Sequence, residues 1–245
     1  DLTATSGGVM NESLASTYAG LSPLPSLAES IQVARDVLLA EYCDSPVHIA
    51  HVSCKESVRI IREAKERGVK VTAETAPHYL LLTDDLVRSY DTNFKMKPPL
   101  RTEEDRKAMV EAVKNGTIDV IASDHAPHHI DDKDGEFSKA AFGIVGLETS
   151  AALILSQLVR KKIITMERFV ELTAINPRKI CRMPLIAIEE SQPANLTLLD
   201  PESTWSVDKN KFCSKSQNTP FHGWELTGEV VLTINNGFFF SKRNK

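Results

Sequence analysis

The sequence predicts an α/β protein in which parallel strands alternate with crossover helices, followed by a small β module. Three observations carry this. Strand-like and amphipathic helical segments alternate from residue 26 to residue 123, long irregular stretches follow two of the strands, and the patterning changes to two-residue alternation from about residue 186.

The first element is a helix over residues 26 to 42, "SLAESIQVARDVLLAEY". Leu27, Ile31, Ala34, Leu38 and Leu39 recur at helical spacing, and Ser26, with Glu29 three residues on, reads as its N-cap. "PVHIAHVS" is a short strand that puts Val47, Ile49 and His51 on one face and His48 on the other. "CKESVRIIREAKERG" is a second amphipathic helix closed by Gly68, "VKVTAET" a second strand, "RTEEDRKAMVEAVKNG" a third helix ending at Asn115-Gly116, and "IDVIASD" a third strand. Strands linked by helices in this rhythm run parallel.

Residues 76 to 101 and 124 to 146 are irregular, and each stretch directly follows a strand. In an α/β barrel that is the C-terminal face, where sites are built from the βα loops. "LETSAALILSQLVRKK" and "TMERFVELTAINPRKI" are helical, with Pro177 weakening the second. "PANLTLLDPESTWSV" and "GEVVLTINNGFFF" alternate like antiparallel strands around an Asn235-Asn236-Gly237 turn. The boundary falls near 185: residues 1–185 form the α/β part and residues 186–245 the β segment. Three parallel strands cannot close a barrel that takes eight, so the missing strands are expected upstream of Asp1.

Composition narrows the function. With 42% hydrophobic and 25% charged residues among 245, the chain can bury a sizeable core. A net charge of -4 argues against a nucleic-acid partner and for a small-molecule substrate or a protein partner. Cys43, Cys54, Cys181 and Cys213 lie far apart without a C-x-x-C pair, which suits a reducing cytoplasm rather than a disulfide framework. No apolar run approaches the eighteen or so residues of a membrane span, and "DLTATSGGVM" is neither a targeting peptide nor, beginning on an acid without Met, a natural start.

The chemistry concentrates in "VIASDHAPHH". Asp124 closes a strand, where a carboxylate either caps the next turn or, beside His125 and His128, binds a divalent metal or moves protons. His51 ends the earlier strand in the same way, as a core histidine or a ligand. His48 reads as structural, His78 as a loop histidine and His129 as solvated; His222 lies in the β module. "MKPPLR", with Lys97 and Arg101 about two prolines, is a stiff surface loop or a holder of an anionic ligand. "AAFGIVGLE" is a bend, or lets backbone N–H groups approach a ligand at Gly143 and Gly146.

In order and spacing, "HIAHVS", "ETAPHYLLLTDD", "YDTNFKMKPPLRTEEDR", "GTIDVIASDHAPH" and "FGIVGLET" resemble the second half of the bacterial-type dihydroorotases of the amidohydrolase superfamily. "PANLTLLDP" and "SKSQNTPFHGWELTGEVVLTI" resemble that family's closing β segment. The resemblance implies a partial (β/α)8 barrel of the metal-dependent-hydrolase type, the C-terminal part of a small β-sandwich module, and zinc at the barrel mouth, one or two ions per complete protein. It implies His51 and Asp124 as metal ligands, Asp124 also as the catalytic base and acid, and His128, Lys97, Phe142 and Gly143 as substrate-binding positions. Zinc brings the pKa of water it holds to about 7, and a neighbouring carboxylate can take that proton and deliver it to the leaving nitrogen.

The implied reaction is the reversible hydrolysis of L-dihydroorotate to N-carbamoyl-L-aspartate in pyrimidine biosynthesis. The alternatives are a hydantoinase- or allantoinase-like cyclic amidohydrolase, and a non-catalytic homologue that supports a transcarbamoylase. A homo-oligomer is a further expectation. Two departures stand out. The family's upstream metal ligands are absent, Asp1 looking like the close of the segment that carries one of them, so an N-terminal half or another chain is needed to complete the site. Lys97 stands where the family pattern has asparagine; it offers charge and donors but no acceptor.

Overall fold

The computed structural model describes residues 7–190 and 192–241, so the reading of Asp1 lies outside the described residues. The chain divides into two compact units, residues 1–148 with 209–220, and residues 149–208 with 221–245.

The first unit opens with β1 (Met10–Asn11), α1 (Leu14–Ala19) and β2 (Pro23–Leu24), β1 and β2 pairing in parallel. Then come α2 (Ser26–Tyr42), β3 (Val47–Ile49), α3 (Lys55–Glu66), β4 (Val71–Thr75), α4 (Pro77–Leu81), α5 (Glu103–Asn115), β5 (Val120–Ile121) and α6 (Ile130–Lys133). β3, β4 and β5 form one sheet in that order, with Val47 opposite Val71 and Thr75 opposite Ile121, both pairings parallel. The alternation of strand and helix thus builds the parallel sheet that its rhythm predicts. Ile61 and Ala64 of α3, Met109 and Val113 of α5 and Ala73 of β4 are buried, so the helices cover the sheet with apolar side chains. α5 is fixed at both ends: Thr102 and Asp105 cap each other's backbone, and Gly116 takes a left-handed conformation at φ 88°.

α2 departs from expectation in two ways. Pro25, not Ser26, occupies the N-cap position, and Glu29 does not close a capping box. Its carboxylate accepts instead from the Ser53 amide at 3.0 Å, the Cys54 amide at 3.3 Å, the Ser53 hydroxyl and Arg101 at 3.4 Å. The buried face also differs. Ala28, Val33, Val37 and Ala40 face inward, whereas Leu27, Ile31, Leu38 and Leu39 are each at least 46% exposed. Small side chains line the side where α2 meets β3 and α3, and the larger leucines form a second stripe.

The second unit contains α7 (Ser150–Ile154), α8 (Met166–Val170), α9 (Asn176–Ile180), β6 (Leu196–Ser206), β7 (Glu225–Asn235) and β8 (Phe238–Ser241). α7 runs into a π-helical turn at Leu155–Val159, and α8 runs through another at Glu171–Ile175 into α9. The second of these wide turns falls just before Pro177, whose missing N–H interrupts the regular ladder. β6, β7 and β8 pair antiparallel in sequence order. Asn236 (φ 50°) and Gly237 (φ 80°) make the tight β7–β8 turn that the sequence announces.

Candidate functional site

Because β3, β4 and β5 are parallel neighbours, the chain leaves all three at the same end of the sheet. His51 follows β3 and Asp124 follows β5, and both adopt left-handed backbone, at φ 57° and 46°. Such conformations are uncommon outside glycine and turn each side chain away from its strand's alternation. His51 Nε2 lies 4.0 Å from Asp124 Oδ1. His78, from the first turn of α4 after β4, brings Nε2 to 3.4 Å from Asp124 Oδ2.

The left-handed turn also overturns the expected facing of the first strand. His48 and His51 do not point to opposite sides: His48 Nε2 is 3.3 Å from Glu74 Oε2 and His51 Nδ1 is 3.5 Å from Glu74 Oε1. His48 Nδ1 is further tied to Thr72 Oγ1 at 2.8 Å. Glu74 and the proximity of His78 escape a reading along the chain, because both contacts come from strand register. One signal was present: β4 places Thr72 and Glu74 between the buried Val71, Ala73 and Thr75, a polar face on an otherwise enclosed strand.

Burial lowers the His78 pKa, against the pull of Asp124, and holds the imidazole neutral near pH 7. Burial would raise the pKa of Asp124, but the contact with His78 and the electrostatic attraction of the two neighbouring rings, His78 and His51, outweigh it and keep the carboxyl below its ordinary value. An ionised carboxylate therefore faces two imidazoles.

His128, Phe142 and Gly143 lie on the stretch that follows β5, and Lys97 lies on the one between α4 and α5. His128 Nε2 meets the Phe142 carbonyl at 2.8 Å, and Gly143, at φ 118°, has no room for a side chain: a Cβ would stand 2.5 Å from that of Ala126. The Gly143 amide donates to the Lys95 carbonyl at 2.9 Å, and Asn218 donates to the carbonyls of Ala126 and Gly143. Buried Lys133, the last residue of α6, donates to the carbonyls of Ala141 at 2.9 Å and Gly143 at 3.1 Å. Lys95, which the sequence did not mark, holds its ammonium 4.5 Å from the Phe142 ring centre. Lys97 is exposed on a cis bond to Pro98, with Nζ 5.7 Å from the same ring centre.

His125 is occupied by backbone, its Nδ1 accepting from the Gly146 amide at 3.1 Å. His129 is exposed beside Asp131, and His222 is exposed in the second unit. Arg101, expected at the surface or on a ligand, is buried, donating to Ser53, Asn11 and the Leu24 carbonyl and facing Glu29. It braces the loop rather than presenting a cation.

Among the described residues no group of three or more His, Cys, Asp or Glu side chains is placed to hold a metal ion. Yet His51 Nδ1 and His78 Nε2 are buried without a hydrogen-bond partner, and the facing nitrogen of His51 and oxygen of Asp124 are donors that zinc accepts. These residues fit as part of a ligand set, not the whole of one.

Residues 24–238 match the model of the amidohydrolase family. The dihydroorotase of Geobacter metallireducens is 55% identical over 243 residues, covering 99% of this chain and 57% of that protein. The dihydroorotase of Acetivibrio thermocellus is 49% identical over 237 residues, covering 97% and 56%. Among solved structures, the L-hydantoinase of Arthrobacter aurescens superposes with a TM-score of 0.85 at 31% identity, covering 93% of this chain and 51% of that one. The dihydropyrimidinase of Brevibacillus agri gives 0.82 at 27%, covering 91% and 50%. The chain thus spans little more than half the length of the curated relatives it matches.

Proposed function

This chain belongs to the amidohydrolase family, and from that premise we propose that it is part of a dihydroorotase, which interconverts L-dihydroorotate and N-carbamoyl-L-aspartate in pyrimidine biosynthesis. The observation that carries the proposal is the convergence of His51 and Asp124, on left-handed backbone at the ends of two parallel strands, in a chain 48–55% identical to proteins named dihydroorotase.

The family is generally metal-dependent, and zinc is the ion we assign, one or two per complete protein. His51 Nε2 and the Asp124 carboxylate would hold it, with the remaining ligands supplied by the rest of the longer protein. Bound there, zinc would act as a Lewis acid and lower the pKa of water. Asp124, kept ionised, takes the proton from the attacking water and returns it to the ring nitrogen as the amide bond opens. His78 keeps that carboxylate oriented. His128 holds the substrate carboxylate, while the Phe142–Gly143 backbone and Lys97 border the ring. The buried loop behind them limits water around the reacting amide.

We assign residues 1–185 to the barrel and 186–245 to the β-sandwich segment, on the change from helix-rich chain to the strands β6–β8. A cytoplasmic setting is our reading of four cysteines that form no disulfide with one another. No helix among the described residues is long and apolar enough to cross a membrane. A homo-oligomer or a transcarbamoylase partner belongs to the same proposal.

One second reading has an observation behind it: the hydantoinase structures, together with Lys97 at a substrate position, suit another cyclic amide. Their identity, 22–31%, is well below that of the dihydroorotases. The test is ring opening of L-dihydroorotate by the full-length, zinc-loaded protein, followed by ultraviolet absorbance and compared with hydantoin and allantoin. Turnover fastest on dihydroorotate supports the proposal; zinc bound with faster hydantoin or allantoin turnover replaces it, and zinc bound without turnover leaves the scaffold role.

A further inference from the structure

We propose that Glu74 is a positioning residue for His51: one carboxylate on β4, clamped by His48, holds the Nδ1–H form of the His51 ring and leaves its Nε2 lone pair facing Asp124.

The parallel register of β3 and β4 sets His48 opposite Thr72 and Ile49 opposite Ala73, which carries Glu74 to the level where the chain leaves β3. Positive φ at His51 swings its ring back over the neighbouring strand. The two oxygens of Glu74 then divide between two imidazoles, Oε2 at 3.3 Å from His48 and Oε1 at 3.5 Å from His51. His48 is itself held by Thr72 at 2.8 Å, so the carboxylate has a fixed support on one side and His51 on the other.

Both nitrogens of His51 thus face acidic oxygens, Nδ1 that of Glu74 and Nε2 that of Asp124 at 4.0 Å. A neutral imidazole carries one proton and one lone pair, and the nitrogen that is to bind a metal must keep the lone pair. His51 Nδ1 is buried and has no hydrogen-bond partner in this arrangement. A ring rotation that closes 3.5 Å to a normal 2.9 Å gives it one, and hydrogen bonds at such sites commonly tighten when the ligand is in place. A carboxylate on the far nitrogen of a metal-binding histidine fixes the tautomer and the ring orientation and raises the ring's basicity. The chain Thr72–His48–Glu74–His51 builds this support from two adjacent strands, with the Glu74 side chain only 17% exposed.

This inference rests on the reading of His51 as a metal ligand, and its test is independent of turnover. Full-length protein is prepared as wild type, Glu74→Gln and Glu74→Leu. Zinc affinity is measured by chelator competition, and the metal-free proteins are examined by 15N NMR of the histidine rings. Glu74→Leu is expected to weaken zinc binding about 10- to 100-fold and to shift His51 away from the Nδ1–H tautomer. Glu74→Gln, whose side-chain oxygen still accepts, should recover part of both. Unchanged affinity and tautomer in folded Glu74→Leu would overturn the proposal. Should that variant fail to fold, the wild-type spectrum decides alone: the Nδ1–H form is expected, and an Nε2–H form refutes the role. Zinc affinity and tautomer are measured without substrate, so absence of dihydroorotate turnover in the wild type would count against the proposed activity and leave the positioning role of Glu74 standing.

Discussion

His78 is buried to 2% exposure and points Nε2 at Asp124 Oδ2 from 3.4 Å. They stand 46 positions apart in the sequence, and the parallel pairing of β4 with β5 brings them together. Burial keeps His78 uncharged near neutral pH, so it orients the carboxylate without taking over its proton.

Asp124→Asn removes the proton acceptor while keeping the shape. In the full-length zinc-loaded protein the fold should persist, read as an unchanged melting curve, and turnover of dihydroorotate should fall by about 10²–10⁴-fold, the usual contribution of a positioned general base. Rates near those of the wild type would remove Asp124 from that role.

Lys97→Asn restores an acceptor at the ring-facing loop. Lys97 is exposed and its ammonium stands 5.7 Å from the Phe142 ring centre, so little packing is lost. Steady-state kinetics should show kcat/KM equal to or above wild type. Complete loss would mean that the ammonium contacts substrate directly.

Gly143→Ala tests the loop behind those residues. At φ 118° an alanine is strained, and its Cβ would lie 2.5 Å from that of Ala126. Urea titration should show destabilisation of about 1–3 kcal/mol, with KM raised because the Phe142 carbonyl that meets His128 moves. A variant with wild-type midpoint and KM would show that the loop adjusts freely.

Lys133 supplies a pH signature. Burial, with the nearby Lys95 charge, lowers its pKa to about 8 from 10.5, Asp91 opposing. Between those values the unfolded chain holds a proton that the folded one does not, so stability rises with pH across that window and the full cost of the buried ammonium is felt below pH 8. The urea midpoint of the wild type should therefore climb relative to Lys133→Met from pH 8 to 10.5. A difference that stays constant over this range would show that the carbonyls around Lys133 hold it charged.

Elements whose signal is local were legible in the sequence: α3 and α5 through apolar period and caps, β3 to β5 through short apolar runs, the β7–β8 hairpin through Asn235-Asn236-Gly237. Asp124 and His51 stood out because acids and imidazoles at strand ends are chemically conspicuous. Glu74 and His78 did not, since what they do is set by register between strands. The buried face of α2 was misread because helical spacing reveals a stripe without saying what lies opposite it, and small residues took the close approach. Arg101 looked like a free cation for the same reason: its partners Asn11, Ser53 and Glu29 are scattered over 42 positions of sequence.

The left-handed backbone at His51 and Asp124 filters which residues can ever be sampled at the two positions. A β-branched replacement would meet local strain of about 1–2 kcal/mol before any chemistry is considered, whereas Asn, Asp and His are at ease there. Drift at these strand ends is thereby steered toward short polar and imidazole side chains, the same pool from which metal ligands and proton carriers are drawn.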